Sequence, residues 1–480
     1  MSEAFGVAIL AAGQGTRLKS KRAKVLHAAG GRTLIEQVVR TVQALGGEEI
    51  FVVVGHQAEA VRKALAPLSA ASSGKGLRGH GLRFIHQKEQ KGTGHALLCG
   101  RQEIEASVPL LLVVCGDTPL IRAETLREFL GFHRQSGAAA TVLTVDMPDP
   151  AGYGRIVRLA DGNLAAIVEQ KSATPEQLAI PEINTGIYCF ETRPLFGALE
   201  RVAADGITGE YYLTDVIALL REAGQKVAAY KMADASEVLG INNRVELAAA
   251  DALLRDRKAR ALMLAGVTIV RPETVLIDPD VEVGPDTIIE LGVSLLGKTC
   301  VGEGCRIGAF SVVADSEIAA GVTVKQSCMV SESKIGPGAS IGPFARLRMG
   351  AEIGPNASIG NFVEVKKSRI GRGTKANHLT YLGDATIGEG VNIGAGTITC
   401  NYDGEKKHPT IIEDHVFIGS GTELVAPARV GKGAYVGAGS TITEEVPPDA
   451  LAIARARQAS KAGWAAARRK IKAEGKKKSE

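Results

Sequence analysis

The residues best suited to chemistry fall into two groups far apart in the chain. Near the start, Leu10-Ala11-Ala12-Gly13-Gln14-Gly15-Thr16-Arg17 closes an apolar run, and Lys24 follows seven residues later. Glycines there let a backbone approach an anion and aim N–H groups at phosphate oxygens. Arg17 and Lys24 add the positive charge a polyphosphate needs while it is cleaved. The stretch is not a P-loop, because no Gly-Lys-Ser/Thr follows, and the dinucleotide fingerprint lacks its third glycine. For Gly13 and Gly15 alone, a tight turn without function is the competing reading. Asp117 follows another apolar run, Leu110 to Cys115. A single carboxylate at a strand end suits Mg²⁺, which takes one or two protein oxygens plus phosphate oxygens. A helix cap ahead of Thr118-Pro119 is the alternative. In the second group, Lys366, His378 and Tyr381 precede a polar insertion, Asn401-Tyr402-Asp403-Gly404-Glu405-Lys406-Lys407-His408. A loop extruded from a repetitive scaffold is placed for binding, and an imidazole among cations suits acid–base work. A purely structural histidine is the other reading.

Two different scaffolds must hold these groups. Residues 1–240 alternate strand-like runs (5–10, 49–54, 110–115, 139–145) with helical patterns (33–45, 57–66, 92–106, 122–136). That alternation predicts a mainly parallel sheet covered on both faces, with ligands at the carboxyl ends of its strands. Residues 69–81 read as a flexible surface loop. Leu247, Leu253, Leu254 and Leu262 predict one helix over 245–265, an arm joining two domains. From Ile277 onward an aliphatic residue recurs at every sixth position: Ile277, Val283, Ile289, Leu295, Val301, Ile307, Val313, later Ile335 to Val365, then Ile412 to Ile442. Neither a helix nor a single strand has that period, whereas a parallel β-helix does. Three hexads make an 18-residue coil, and about nine coils spaced ~4.8 Å apart make a prism ~43 Å tall. Four register slips, such as 313 to 318 and 365 to 370, are each one residue short. A Gly/Val-rich sandwich would instead show irregular period-two strands. The period leaves the hand of the coil open.

A chain of 480 residues exceeds one core. The division expected is 1–241 for a nucleotide domain, 242–265 for a linker helix, 266–455 for the β-helix and 456–480 for a basic tail. Formal charge is +5, yet residues 455–480 hold ten Lys or Arg against two Glu, so the rest carries about −3. The tail, ending in Lys476, Lys477 and Lys478, reads as disordered and solvated, with attraction to anions second. Trp464 there either closes a site or lies on a short amphipathic surface helix. No basic face on a folded domain is visible, which excludes a nucleic-acid role. Seven cysteines show no CxxC pair or zinc spacing and suggest reduced thiols. Without a signal-peptide n-region or ~18–20 consecutive apolar residues, the reading is a soluble, cytoplasmic protein with no membrane span.

The N-terminal motifs come in a recognisable order. LAAGQGTRL with Lys24, then Gln87, Gly92-Thr93-Gly94-His95-Ala96, Gly116-Asp117, Gly152-Tyr153-Gly154-Arg155, Glu169, Asn184-Thr185-Gly186 and Asn242-Asn243-Arg244 resemble the signature of sugar-1-phosphate nucleotidyltransferases. Joined to a hexapeptide β-helix, the chain over roughly 4–465 resembles the bifunctional family of N-acetylglucosamine-1-phosphate uridyltransferases and glucosamine-1-phosphate acetyltransferases. The resemblance implies a Rossmann-like α/β domain, then a linker helix, then a left-handed parallel β-helix. It further implies that Leu10, Ala11, Ala12, Gly13, Gln87, Gly92, Thr93, Cys115 and Gly116 hold a uridine nucleotide, with Arg17 and Lys24 catalytic. Gly154, Glu169 and Asn184 would hold the sugar, and Asp117 with Asn242 would bind Mg²⁺. In the β-helix, His378 matches the general base, and Arg348 and Lys366 match the sugar-phosphate ligands. Tyr381 and Asn392 match sugar contacts, while Ala395, Asn401, Tyr402, Ser420, Ala438 and Arg455 match acetyl-CoA contacts. A homotrimer with sites between prisms is implied as well. Cys115 departs from the pattern, since the family usually carries Tyr before Gly-Asp.

Two rivals remain at this point. One is a monofunctional sugar-1-phosphate nucleotidyltransferase with an architectural β-helix, against which His378, Tyr381 and the Asn401 loop argue. The other is a non-catalytic scaffold, disfavoured by Gly13, Arg17, Lys24 and Asp117.

Overall fold

Val, Ile and Leu dominate Phe5–Ala11, Glu49–Val54 and Leu110–Cys115, and these runs are almost wholly buried, as parallel strands covered on both faces must be. They pair in parallel, Gly6 opposite Glu49 and Phe5 opposite Leu110. Across the sheet the order is Val227–Lys231, Ala140–Asp146, Glu182–Glu191, Leu110–Cys115, Phe5–Ala11, Glu49–Val54 and Leu82–His86. Glu182–Glu191 runs antiparallel to both of its neighbours. In this computed structural model residues 4–71, 81–206 and 208–477 are described. The chain divides into two compact units, Met1–Arg260 with Ile277–Pro279, and Ala261–Leu276 with Asp280–Glu480.

Helices cover the sheet where the sequence gives them a stripe and a cap. Leu34–Gln43 buries Leu34, Ile35, Val38, Val39 and Val42, and the Thr33 side chain accepts from the Glu36 N–H at its start. Two expectations need correction here. The single helix foreseen over 92–106 is two, Thr93–Leu98 and Arg101–Ser107. Between them Gly100 packs so tightly on Ile85 that a Cβ would overlap it. Of the loop foreseen over 69–81, the first three residues instead end the helix Ala58–Ala71; 72–80 lie outside the described residues. The helix Arg244–Leu264 begins behind Asn243, whose side-chain oxygen accepts from the N–H groups of Val245 and Glu246. Its Ala250 is buried with Ala29, Leu34, Leu120 and Ile241.

In the second unit the hexad residues turn inward: Ile289, Leu295, Ile307, Ile341, Leu347, Ile418 and Leu424 are all fully buried. Val283 is an exception, only partly buried in the end strand of its face, where a single neighbouring coil covers it. One face of the prism is a nine-stranded sheet from Glu282–Val283 to Ala428–Val430, and a continuous 19-stranded sheet forms the other two. The register repeats at 18 residues from Ile289 to Ile307, 17 from Ile307 to Val324, and 25 from Ile387 to Ile412, where the polar insertion is absorbed. Glycine follows the inward residue because coils touch there: a Cβ on Gly354 would come within 2.7 Å of the Ile370 carbonyl oxygen. Two strands pass the corner between faces without a break. Ser358–Lys366 and Lys375–Gly383 are each nine residues long and pair from Ser358–Lys375 to Lys366–Gly383.

In the tail the structure shows the surface helix that is one reading of Trp464, not the disordered segment that is the default reading. Trp464–Lys477 is helical and its described side chains are exposed, because Ala, Arg and Lys are strong helix formers even without a core to pack on. Lys478 lies outside the described residues. Among those described, no helix is long and apolar enough to cross a membrane.

Candidate functional site

In the first unit, strand ends from both halves of the parallel region open on one pocket of about 370 Å³, the position such sheets reserve for ligands. Leu10, Ala11, Ala12, Gly13, Arg17, Lys24, Gln87, Gly92, Thr93, Cys115, Asp117 and Asn242 all line it. The two early glycines do different work. Gly13 has nothing within 4 Å of the space a Cβ would fill, so its backbone faces open volume. Gly15 has φ +65°, and a Cβ there would overlap the Lys24 stem. It makes room for the lysine, not for the ligand.

Four functional side chains converge at the mouth of the pocket. The Lys24 ammonium pairs with the Asp117 carboxylate and donates to Asn242 Oδ1 at 2.9 Å. Arg17 Nη2 donates to the same oxygen at 2.9 Å. Asn242 is held in turn by its own N–H, which donates to Glu246 Oε2 at 2.5 Å. A carboxylate and an amide oxygen, both already facing cationic side chains, are the donor set that fits Mg²⁺ completed by phosphate and water oxygens. Among the described residues no group of three or more His, Cys, Asp or Glu gathers as a richer metal site.

Gln87, Gly92 and Thr93 act as one block. Gln87 Nε2 donates to the Gly92 carbonyl at 3.0 Å, and Thr93 Oγ1 accepts from the Leu213 N–H at 3.1 Å. Gly92 has φ +93°, and a Cβ would lie 2.7 Å from the Tyr211 carbonyl oxygen. Gly116 does not line the pocket; its N–H donates to Leu10 O at 2.9 Å and ties two strand ends together. Gly154, Glu169 and Asn184 form a neighbouring group. The Asn184 N–H donates to Gly154 O at 2.9 Å, and Thr214 Oγ1 donates to Glu169 Oε1 at 3.3 Å. Burial raises the Glu169 carboxyl above its usual range. Cys115 lies between the two groups, its thiol 3.5 Å from Gly186 O, and desolvation pushes that thiol up to about 12. It is therefore neutral at ordinary pH. Gln90, Glu210 and Tyr212 also line the pocket; they belong to no glycine motif, and nothing in their spacing singled them out.

The second group is built on the coil ladder. Gly396 donates to Leu379 O, Gly421 to Ala395 O and Gly439 to Ser420 O. These bonds stack His378, Ala395, Ser420 and Ala438 in successive coils, all four exposed. Arg455 continues the column, its Cδ within 3.9 Å of the Cβ position of Gly439. On the adjoining face Arg348 lies opposite Lys366, and Glu364 opposite Tyr381. Arg348 Nη1 donates to Glu364 Oε1 at 2.9 Å. Asn392 stands on the other side of the corner, opposite Lys375 and Phe417.

The insertion folds back as a closed hairpin. Tyr402 bridges Lys407, and the Asp403 carboxylate accepts from the Lys406 N–H, the His408 ring and the Glu405 N–H, which hold its carboxyl well below the usual range. Lys407 meets Lys366, and this neighbouring ammonium holds Lys366 below the ordinary lysine range. Two ammoniums and Arg348 in one place make a site for a multiply charged anion. Lys407 was missed from sequence; its only signal was membership of the insertion. Asn401 is buried, and its Nδ2 donates to Asp384 Oδ2 at 2.6 Å. That amide anchors the hairpin and is not aimed outward, whereas Tyr402 is exposed.

Comparison with known proteins matches residues 7–269 to the MobA-like NTP transferase domain. Residues 332–367 and 409–444 match the bacterial transferase hexapeptide (six repeats). Bifunctional protein GlmU of Koribacter versatilis is 52% identical, covering 97% of this chain and 97% of its own length. Its counterpart in Solibacter usitatus is 51% identical over 98% and 99%, and that of Halalkalibacterium halodurans 48% over 96% and 98%.

Proposed function

Because this chain belongs to the family of bifunctional GlmU proteins, we propose that its two residue groups run consecutive transfers, acetylation in the second unit and uridylylation in the first. The chain is both a uridyltransferase and an acetyltransferase. Its second half is a hexapeptide-repeat β-helix consistent with the left-handed kind. The reaction sequence acetylates glucosamine-1-phosphate with acetyl-CoA, then transfers UMP from UTP to N-acetylglucosamine-1-phosphate. The products are UDP-N-acetylglucosamine, a precursor for cell-wall and lipopolysaccharide synthesis, and diphosphate. On this reading 1–241, 242–265, 266–455 and 456–480 serve as uridyltransferase, linker, acetyltransferase and tail. The working assembly is a cytoplasmic homotrimer in which the Asn401 hairpin reaches a neighbouring prism.

In the uridylyl step a phosphate oxygen of the sugar attacks the α-phosphorus in line, and diphosphate leaves. Two anions must meet, so the protein's task is positioning and neutralisation, with no protein nucleophile. Arg17 and Lys24 bring positive charge to the triphosphate, and Gly13 leaves its backbone open to it. Gln87, Gly92 and Thr93 hold the nucleoside, while Gly154, Glu169 and Asn184 hold the sugar. Asp117 and Asn242 would hold Mg²⁺, which when bound supplies further neutralisation of the phosphates.

In the acetyl step His378 takes a proton from the glucosamine amine as that nitrogen attacks the thioester carbonyl. Arg348, Lys366 and Lys407 hold the sugar phosphate, and Tyr381 and Asn392 orient the ring. The exposed column Ala395, Ser420 and Ala438, with Arg455 and Tyr402, lies along the coenzyme. The observation that carries this reading is the presence of both groups in one chain, each confined to its own compact unit. Incubation of the purified protein with glucosamine-1-phosphate, acetyl-CoA, UTP and Mg²⁺, followed by mass analysis, tests it. UDP-N-acetylglucosamine is the expected product; UDP-glucosamine, or no acetyl-CoA consumption, would leave the β-helix purely architectural.

A further inference from the structure

We propose that Asn361 is a positioning residue for acetyl transfer: its side-chain oxygen holds the proton of His378 on Nδ1 and so leaves Nε2 as the base. The proposal rests on the reading of His378 as general base, which it deepens. Asn361 and His378 are register partners on the two unbroken strands Ser358–Lys366 and Lys375–Gly383. Seventeen residues apart in sequence, they are one coil apart in space, and His378 Nδ1 lies 2.9 Å from Asn361 Oδ1.

The ladder itself produces this contact. Residues in register on adjacent parallel strands project to the same side with their backbones ~4.8 Å apart, so an Asn side chain reaches the ring stacked on it. Both neighbours of Asn361 are also pinned. Gly360 packs so closely on the Asn377 backbone that a Cβ would overlap it, and Phe362 stacks on Phe344 with ring centroids 5.4 Å apart. The Asn361 backbone therefore has little freedom to swing its amide away from the ring.

A neutral imidazole carries one proton, on either nitrogen, and the partner of one nitrogen decides what the other can do. An acceptor at Nδ1 keeps the proton there and leaves a lone pair on Nε2. A donor at Nδ1 would reverse the roles and leave Nε2 unable to act as base. During transfer the amine proton passes to Nε2 while the C–N bond forms. The thioester C–S bond then breaks, and the departing thiolate takes that proton from the imidazolium. Asn361 keeps its hold on Nδ1–H throughout. The amide directs the proton without adding charge. The residues stacked on either side of His378, Asn361 and Ala395, are both uncharged; the adjoining wall carries Arg346, Arg348, Glu364, Lys366 and Asp384, and the hairpin carries Asp403, Glu405, Lys406, Lys407 and His408.

Full-length wild type, Asn361→Ala, Asn361→Asp and His378→Ala test this through kcat, KM and the pH profile of acetyl transfer, with uridylyl transfer and melting temperature as controls for folding. Asn361→Ala should lower kcat by roughly tenfold or more with KM for acetyl-CoA within about twofold. Asn361→Asp, which can only accept, should recover most of that loss. Its acidic limb should move to higher pH, because a carboxylate favours the imidazolium. Wild-type kcat in Asn361→Ala overturns the proposal, as does an Asp variant no better than alanine. His378→Ala that keeps acetyl transfer removes the base itself and overturns the underlying reading; its inactivity beside an unaffected Asn361→Ala overturns only the positioning role.

Discussion

The first unit assembles its site from residues more than 200 positions apart, whereas the second assembles its own from residues one coil apart. Lys24 and Asn242 meet because strand ends and a helix start converge at one edge of the sheet. His378 and Asn361, or Arg348 and Lys366, meet because a prism stacks whatever lies 17 or 18 residues along. A sheet site thus depends on the whole topology, and a solenoid site on two or three consecutive coils. Substitutions should consequently separate cleanly by unit.

The largest expected effect is on catalysis in the first unit. Lys24→Ala and Arg17→Ala should each lower uridylyl transfer by ~10³-fold or more, since they remove charge from a phosphoryl-transfer site. Acetyl transfer should stay within about twofold, and equal loss of both would break the comparison. Next comes Lys407→Ala, expected to raise KM for glucosamine-1-phosphate by roughly tenfold while uridylyl kinetics hold steady. A change in the KM for acetyl-CoA alone would move Lys407 away from the sugar phosphate.

Glycines sharpen the contrast. Gly354→Ala should destabilise the second unit by about 1–3 kcal/mol, because its Cβ meets a carbonyl of the next coil. Gly13→Ala should leave melting unchanged, yet weaken UTP binding. Calorimetry and nucleotide titration of the two variants check both. The subtlest effect to detect near neutral pH is a pH dependence of stability in the first unit. His133 is buried beside Thr141 and burial pushes its imidazole down to about 4 from an ordinary 6.5. The unfolded chain takes up that proton at higher pH than the folded one. Stability is therefore full above pH 6.5 and falls by about 2 kcal/mol as pH drops from 6.5 to 4. His133→Gln should flatten that slope in thermal melts.

The same contrast explains what could be read in advance. A six-residue period survives in sequence because each inward position needs an aliphatic side chain, so Ile289 through Ile442 announced the prism directly. That Val283 is only partly buried was not legible, because the pattern cannot say where a stack ends. The glycine loop, Lys24 and Asp117 were legible as chemistry, but Gln90, Glu210 and Tyr212 reach the pocket from segments with no period of their own. Lys407 was hidden for a similar reason: a hairpin closed by Asp403 places it on Lys366, and inserted loops carry no repeat to count from. Asn361 was in principle readable, seventeen residues before His378, once the coil length at that point was known. Gly100 split an expected helix through packing on Ile85, a contact from another strand. Ala-rich local propensity made a helix of a tail expected to be disordered.

Mixing two single variants tests the separation of sites most directly. Lys24→Ala and His378→Ala, each unable alone to convert glucosamine-1-phosphate, acetyl-CoA and UTP to UDP-N-acetylglucosamine, should make it together, as the acetylated sugar phosphate leaves one protein and enters the other. No product from the mixture, with each variant still competent in its remaining half-reaction, would contradict two independent centres on one chain.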